Sequence, residues 1–124
     1  MVGTELFNLL KTLNGIKVSP TTVLEQKHSV PYLVYNLDAC RPEYFKGVQK
    51  TNAEYKYTLS IYSDKYTVVE GYNDLIYSLL VTYEGAAIKL IRVDNSIDAG
   101  YNEDYKMFQR DVSVTIIGTI GVQL

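Results

Sequence analysis

Residues 53–83 read AEYKYTLSIYSDKYTVVEGYNDLIYSLLVTY, and the fold turns on the change of period inside this stretch. From Ala53 to Ser63, Tyr55, Tyr57, Leu59 and Ile61 alternate with Glu54, Lys56, Thr58 and Ser60. That two-residue repeat predicts a half-buried strand. Beyond Ser63 the spacing lengthens. Val69, Tyr72, Ile76, Leu79, Leu80 and Tyr83 make a stripe at helical spacing, with Glu70, Asp74 and Ser78 off it. Ser63 or Asp64 is placed to cap this helix, Thr67 with Glu70 also fits a capping box, and Gly85 is a stop signal.

Upstream, Thr4 is a candidate cap for a first helix, with Glu5 in its first turn. Leu6, Leu9, Leu10 and Leu13 follow the spacing of one apolar face, and Gly15 ends it. Ile16–Val18 reads as a short strand stopped by Pro20, and Thr21–Ser29 as a polar loop. From Tyr32 to Cys40, Leu33, Tyr35, Leu37 and Ala39 share one face of a strand and Val34, Asn36 and Asp38 the other. RPEYFKGVQKTN, Arg41–Asn52, reads as a loop, long for a hairpin. Downstream, Ile88–Asp94 is a strand with Ile88 and Leu90 opposite Lys89, Ile91 and Val93. Asn95–Asp104 is a polar turn region, and Tyr105–Ile117 a strand with Phe108, Val112, Val114 and Ile116 on one face. The tail from Gly118 to Leu124 is apolar and broken by two glycines.

The order is helix, short strand, two strands, helix, two strands. Two helices with one apolar stripe each must share a cover. The expected fold is α+β in two layers: a mostly antiparallel sheet of four to five strands with both helices on one face. One domain over residues 1–124 suits the length. The other sheet face then carries Val34, Ile91, Val93, Met107 and Ile117 with no helix to cover them, which predicts a partner.

Several function classes lose support. The net charge is −2, against the basic excess of free-standing nucleic-acid binders. One cysteine, Cys40, excludes an intrachain disulfide and a zinc site built on several cysteines. The N-terminus lacks the basic and small-residue pattern of a signal peptide, and no apolar run reaches the ~20 residues of a membrane span, so a soluble protein made in a reducing cytoplasm is expected. His28 is the sole histidine and sits in a polar stretch; Cys40 as a nucleophile needs it nearby. Glu70 and Asp74 are one turn apart, more often the spacing of a solvated face than of an acid/base pair. No phosphate-binding glycine loop is present. Neither a catalytic residue, nor a cofactor, nor a metal is expected. There are 12 tyrosines and no tryptophan, a residue choice shared by strands and by surfaces that are sometimes covered.

The layout resembles the small tail terminator, or tail completion, proteins of long-tailed bacteriophages. The resemblance lies in the amphipathic helix Glu5–Asn14, then in Pro31-Tyr32-Leu33-Val34-Tyr35. It continues through the strand running straight into a helix, YTLSIYSDKYTVVEGYNDLIYSLL, and ends in Tyr105 with Arg110, Asp111 and Val112. It implies a ring, usually of six subunits, on the head-proximal end of the tail tube. Such a ring stops tube polymerisation and offers the surface for head attachment. Its partners are other copies of itself, the tail tube protein and a head-neck connector. Phage DNA passes through the bore without sequence-specific binding, and no membrane is involved. The place implied is the virion tail, after assembly in the host bacterial cytoplasm.

From the pattern alone, Arg41, Tyr44, Phe45, Lys46 and Lys50 are expected at a subunit, tube or bore contact, where aromatic and basic groups also suit nucleic acid. Ile117, Ile120 and Val122 are expected at such a contact too, with Gly118–Leu124 pairing along a neighbouring strand. The alternatives are a neck or head-completion connector, a small ligand- or peptide-binding module using the tyrosine-rich face, and, last, an enzyme with a scattered carboxylate site.

Overall fold

The computed structural model describes residues 2–20, 31–45, 48–104 and 106–119, with 42–45 and 48–51 described by backbone alone. Seven elements follow the expected order: α1 (Val2–Leu10), β1 (Lys17–Pro20), β2 (Tyr32–Phe45), β3 (Val48–Ser63), α2 (Tyr66–Val81), β4 (Ile88–Asn102) and β5 (Met107–Thr119). The strands form one sheet in the order β1-β2-β3-β5-β4. β1 runs parallel to β2, and the other three pairings are antiparallel.

Both helices lie on one face of this sheet, as expected. Leu6, Leu9 and Leu10 of α1 and Val69, Ile76 and Leu80 of α2 join a single buried cluster with Leu33, Tyr57, Leu59, Ile61, Val112, Val114 and Ile116. The alternation read in β3 and β5 is the alternation observed, because both are central strands paired along their length. α1 begins at Val2, so Thr4 lies inside the helix and does not cap it. The extra turn buries Val2, which rests on the place where β5 passes beneath it. A β-carbon on Gly118 would lie 2.5 Å from Val2 and 2.8 Å from the Ala87 carbonyl oxygen, so only glycine lets α1 and β5 approach this closely. Gly15, at φ 78°, turns the chain from α1 into β1.

Four local expectations are corrected. The Arg41–Asn52 stretch is not an open loop: β2 continues to Phe45 and β3 starts at Val48, with Tyr44 opposite Gln49. Asn95–Asp104 is not a turn region, because β4 runs on to Asn102. In both stretches pairing with a long neighbour overrides polar local composition. The N-cap of α2 is Lys65, which makes no side-chain cap bond. The Ser63 hydroxyl accepts the Lys65 N–H at 3.2 Å, and Glu70 is drawn away from any capping box to Arg110. Finally, Leu37 and Ala39 do not share a face, because a bulge falls between them.

The expected uncovered apolar face also needs correcting. The bulge at Lys89 reverses the alternation of β4, so Ile88, Ile91 and Val93 face the helices and Leu90 faces away. Val34 and Met107 do lie on the face without helices, but they are buried in a second small cluster with Tyr32 and Tyr62. The centre of that face is polar. Ser60 donates to Asp111 at 2.8 Å, Gln109 donates to Asp111 at 3.0 Å, and Thr58 donates to Asp38 at 2.5 Å. Of the expected set, Ile117 alone sits there half-buried.

Candidate assembly edge

A five-stranded sheet has two edges, and β4 is one of them. Its outer side pairs with no described strand over 15 residues. An unpaired edge offers backbone N–H and C=O groups to another chain. The exposed large hydrophobic side chains gather here. Leu90 and Ile97 stand on β4, Tyr101 near its end, and Tyr66, Tyr77 and Val81 on the flank of α2 turned toward it. Among the described residues these are six of the eight exposed large hydrophobics, the others being Leu37 and Leu75. The flank is fixed by three contacts. Ser96 on β4 donates to Asn73 at 2.7 Å, Arg110 on β5 donates to Glu70 at 2.5 Å, and Tyr66 donates to Asp98 at 3.2 Å.

Charged groups brace this edge from both faces. On the helix side, Arg110 also donates through Nε to Ser96 at 2.7 Å, so one guanidinium ties β5 to β4 and to α2. The nearby Asp98 and Glu70 carboxylates raise the pKa of the Tyr66 phenol. On the other side, Asp94 accepts from the Thr115 hydroxyl at 2.6 Å and from Arg92 at 2.7 Å. The Thr115 bond first, opposed by partial burial, and then Arg92 hold the Asp94 carboxyl below its ordinary range. Tyr101 and Tyr66 each stack edge-on against Phe108, with ring centres 5.0 and 5.6 Å apart, so the aromatic end of the rim is pre-ordered.

The opposite edge is built differently. β1 covers β2 only from Tyr32 to Tyr35, leaving the outer side of Asn36–Arg41 without a described partner strand. Beside this gap lies a cleft of about 340 Å³ lined by Gly3, Thr4, Phe7, Pro20 and Tyr35. Phe7 and Tyr35 form its aromatic wall, with ring centres 6.1 Å apart, and the buried Tyr57 ring backs Tyr35 at 6.2 Å. Burial pushes the Tyr57 phenol up to about 12, helped by Tyr35, Tyr55 and Cys40.

The residues singled out in the sequence fall in two places. Arg41 is exposed on β2 and stands in one cross-strand row with Glu54, Ile117 and Leu90, so two of them share a row with the β4 rim. Tyr44 and Phe45 on β2 and Lys50 on β3 belong to the far end of the β2–β3 hairpin. Lys46, Ile120, Val122, His28 and the 21–29 stretch lie outside the described residues, as does Tyr105. Cys40 is exposed in mid-strand. Asp74 is exposed on α2, while Glu70 pairs with Arg110. Among the described residues no group of three or more His, Cys, Asp or Glu gathers as for a metal. No helix among them is long and apolar enough to cross a membrane.

The sequence reading missed Tyr77, Val81, Leu90 and Ile97. For Tyr77 and Val81 a signal existed, since both are apolar and off the α2 stripe. A scan of the chain against protein-family models gives no match, and a search of curated proteins gives none.

Proposed function

We propose that this chain is a structural protein that works by assembling with copies of itself, and that it caps the head-proximal end of a phage tail tube as a ring. The ring stops tube polymerisation and presents the surface for head attachment. The observation that carries the self-assembly is the β4 rim: a long unpaired strand beside most of the exposed apolar side chains of the described residues. Such a combination on an edge invites another chain. A ring needs two different patches that meet head to tail, and the two unlike edges of this sheet supply them.

The phage setting rests on the resemblance carried by the N-terminal helix, the Pro31–Tyr35 strand, the β3–α2 run and the Arg110–Val112 strand. The near-neutral charge of −2 suits a bore through which DNA must slide without sticking. On this reading the virion tail is the protein's place and the host cytoplasm its site of assembly.

Electron microscopy of the purified protein mixed with the cognate tube protein tests the reading. Tubes of fixed length with a capped end support it, and tubes that continue to grow oppose it.

A further inference from the structure

The two edges are matched in level and opposite in strand direction. In the pairing register, Asn36, Thr58, Ser113 and Asn95 stand level across the sheet, and so do Arg41, Glu54, Ile117 and Leu90. The stretch of β2 left bare by β1 is therefore level with Leu90–Asn95 of β4. Three successive antiparallel pairings separate β2 from β4, so the two strands run in opposite directions. Rotating a copy about an axis along the strands changes neither level nor direction. A ring closed by such rotations sets β4 of one copy antiparallel to the stretch of β2 beyond β1 in the next.

The helix layer agrees with this joint. Asn73 bonds Ser96, and Ser96 is level with Tyr35 through Val112 and Leu59. Tyr77 follows one helical turn later on the same flank, which brings it level with Leu37, two residues along β2 from Tyr35 of the cleft. On the other face Arg92 is level with Ala39, next to the carboxylate of Asp38. A cation thus meets an anion across the seam.

Resting on the self-assembly reading above, we propose that neighbouring copies join by β-strand addition: Leu90–Asn95 of one copy pairs with Asn36–Arg41 of the next, and Tyr77 of the first seats in the cleft formed by Gly3, Phe7, Pro20 and Tyr35. Main-chain bonds hold the seam, the Tyr77 ring fills a preformed apolar slot, and Leu90 and Leu37 lose their exposure to water.

Disulfide trapping tests the joint. In a Cys40→Ser background, Arg41→Cys combined with Leu90→Cys places two thiols on one face and in one row of the proposed seam. Gentle oxidation is expected to give a ladder of covalent multimers ending in a closed species. Arg41→Cys combined with Ile97→Cys, out of row by several residues, is expected to give none, and each single-cysteine chain is expected to stay uncross-linked. Molar mass is measured in parallel under reducing conditions. Copies that associate but cross-link in neither pair, or in the Ile97 pair instead, overturn this joint while leaving self-assembly standing. Dimers from Arg41→Cys alone overturn it in favour of a symmetric contact. A chain that stays monomeric at every concentration overturns the joint and the ring together.

Discussion

Leu90 and Ile91 are chain neighbours of the same size, yet Leu90 is 58% exposed and Ile91 4%. Between them runs the boundary of two regions. Ile91 belongs to the helix-side interior, where the apolar side chains of five strands' worth of sheet meet two helices. Leu90 belongs to the β4 rim, where similar side chains stay exposed. Residue type does not separate these regions; position in the sheet does. A central strand has neighbours on both sides to fix its register. An edge strand has one, and three bulges along β4 re-aim its side chains. Bulges and charges commonly blunt an edge against pairing. Here Arg92 is held by Asp94 and Arg110 by Glu70, while the apolar groups between them stay bare.

The interior should show the largest response to substitution. Leu59→Ala removes a fully buried side chain from the middle of the helix-side cluster. It is expected to cost about 2–5 kcal/mol by chemical denaturation, the usual range for such a cavity. A cost below 1 kcal/mol would mean that the interior is not packed as described.

The next largest effect lies where α1 meets the start of β4. Glu5 accepts from the N–H of Ala87 at 2.7 Å, the hydroxyl of Tyr83 at 2.8 Å and the N–H of Ile88 at 3.3 Å. Ala87 and Ile88 are buried, so Glu5→Ala leaves two interior N–H groups unpaired and is expected to cost about 1–3 kcal/mol. Partial burial alone would raise the Glu5 carboxyl. The three hydrogen bonds outweigh it, and the carboxyl titrates below its ordinary value. Because the folded value is the lower one, this stabilisation is complete above the unfolded carboxylate's pKa and is lost as pH falls through the folded one. Denaturation midpoints followed from neutral pH downward should show that acid step in the native chain and a smaller one in Glu5→Gln.

At the alkaline end the sign reverses. Tyr57 ionises only at about 12 when folded against 10.0 ordinarily, so its contribution is complete below pH 10.0 and is lost as pH climbs toward about 12. Tyr57→Phe should flatten stability measured across that interval.

A smaller effect of opposite sign sharpens the contrast on α2. Gly71 is exposed and helical, and beyond its own helix backbone and chain neighbours no heavy atom lies within 4 Å of where a β-carbon would sit. Gly71→Ala should stabilise the fold by up to about 1 kcal/mol, read as a shift in denaturation midpoint. The smallest stability change belongs to the rim. Measured at concentrations where the chain is a single copy, Leu90→Ser and Ile97→Ser should alter folding stability by no more than about 0.5 kcal/mol. A large loss would place these side chains in an interior of their own chain.

The same difference between centre and edge decided how much could be read from the sequence. The order of elements, the two-layer arrangement and the faces of β3 and β5 follow from periodicity, because those segments are buried on one side and paired on both. Leu6, Leu9, Leu10, Val69, Ile76 and Leu80 were legible for the same reason. The lengths of β2 and β4 were not. Arg41–Phe45 and Asn95–Asn102 carry proline, glycine and charge, and become strand only because long partners pair with them. The site suffered more. A bulge at Lys89 exchanges the faces of Leu90 and Ile91, and no local pattern announces a bulge. Arg41 and Ile117 were singled out on composition, and the register sets them in the row of Leu90, a relation that only long-range pairing creates. Tyrosine count could not show that Tyr32, Tyr57 and Tyr62 are interior while Tyr66, Tyr77 and Tyr101 face outward.

On the self-assembly proposed above, another copy covers the β4 rim. Light scattering across a wide concentration range, with and without Leu90→Asp combined with Ile97→Asp, tests it most directly. The native chain is expected to give a mass of several copies, and the doubly substituted chain the 14.1 kDa of one, with its fold intact by circular dichroism. A native chain that stays at 14.1 kDa throughout, or a substituted chain that assembles as before, would contradict it.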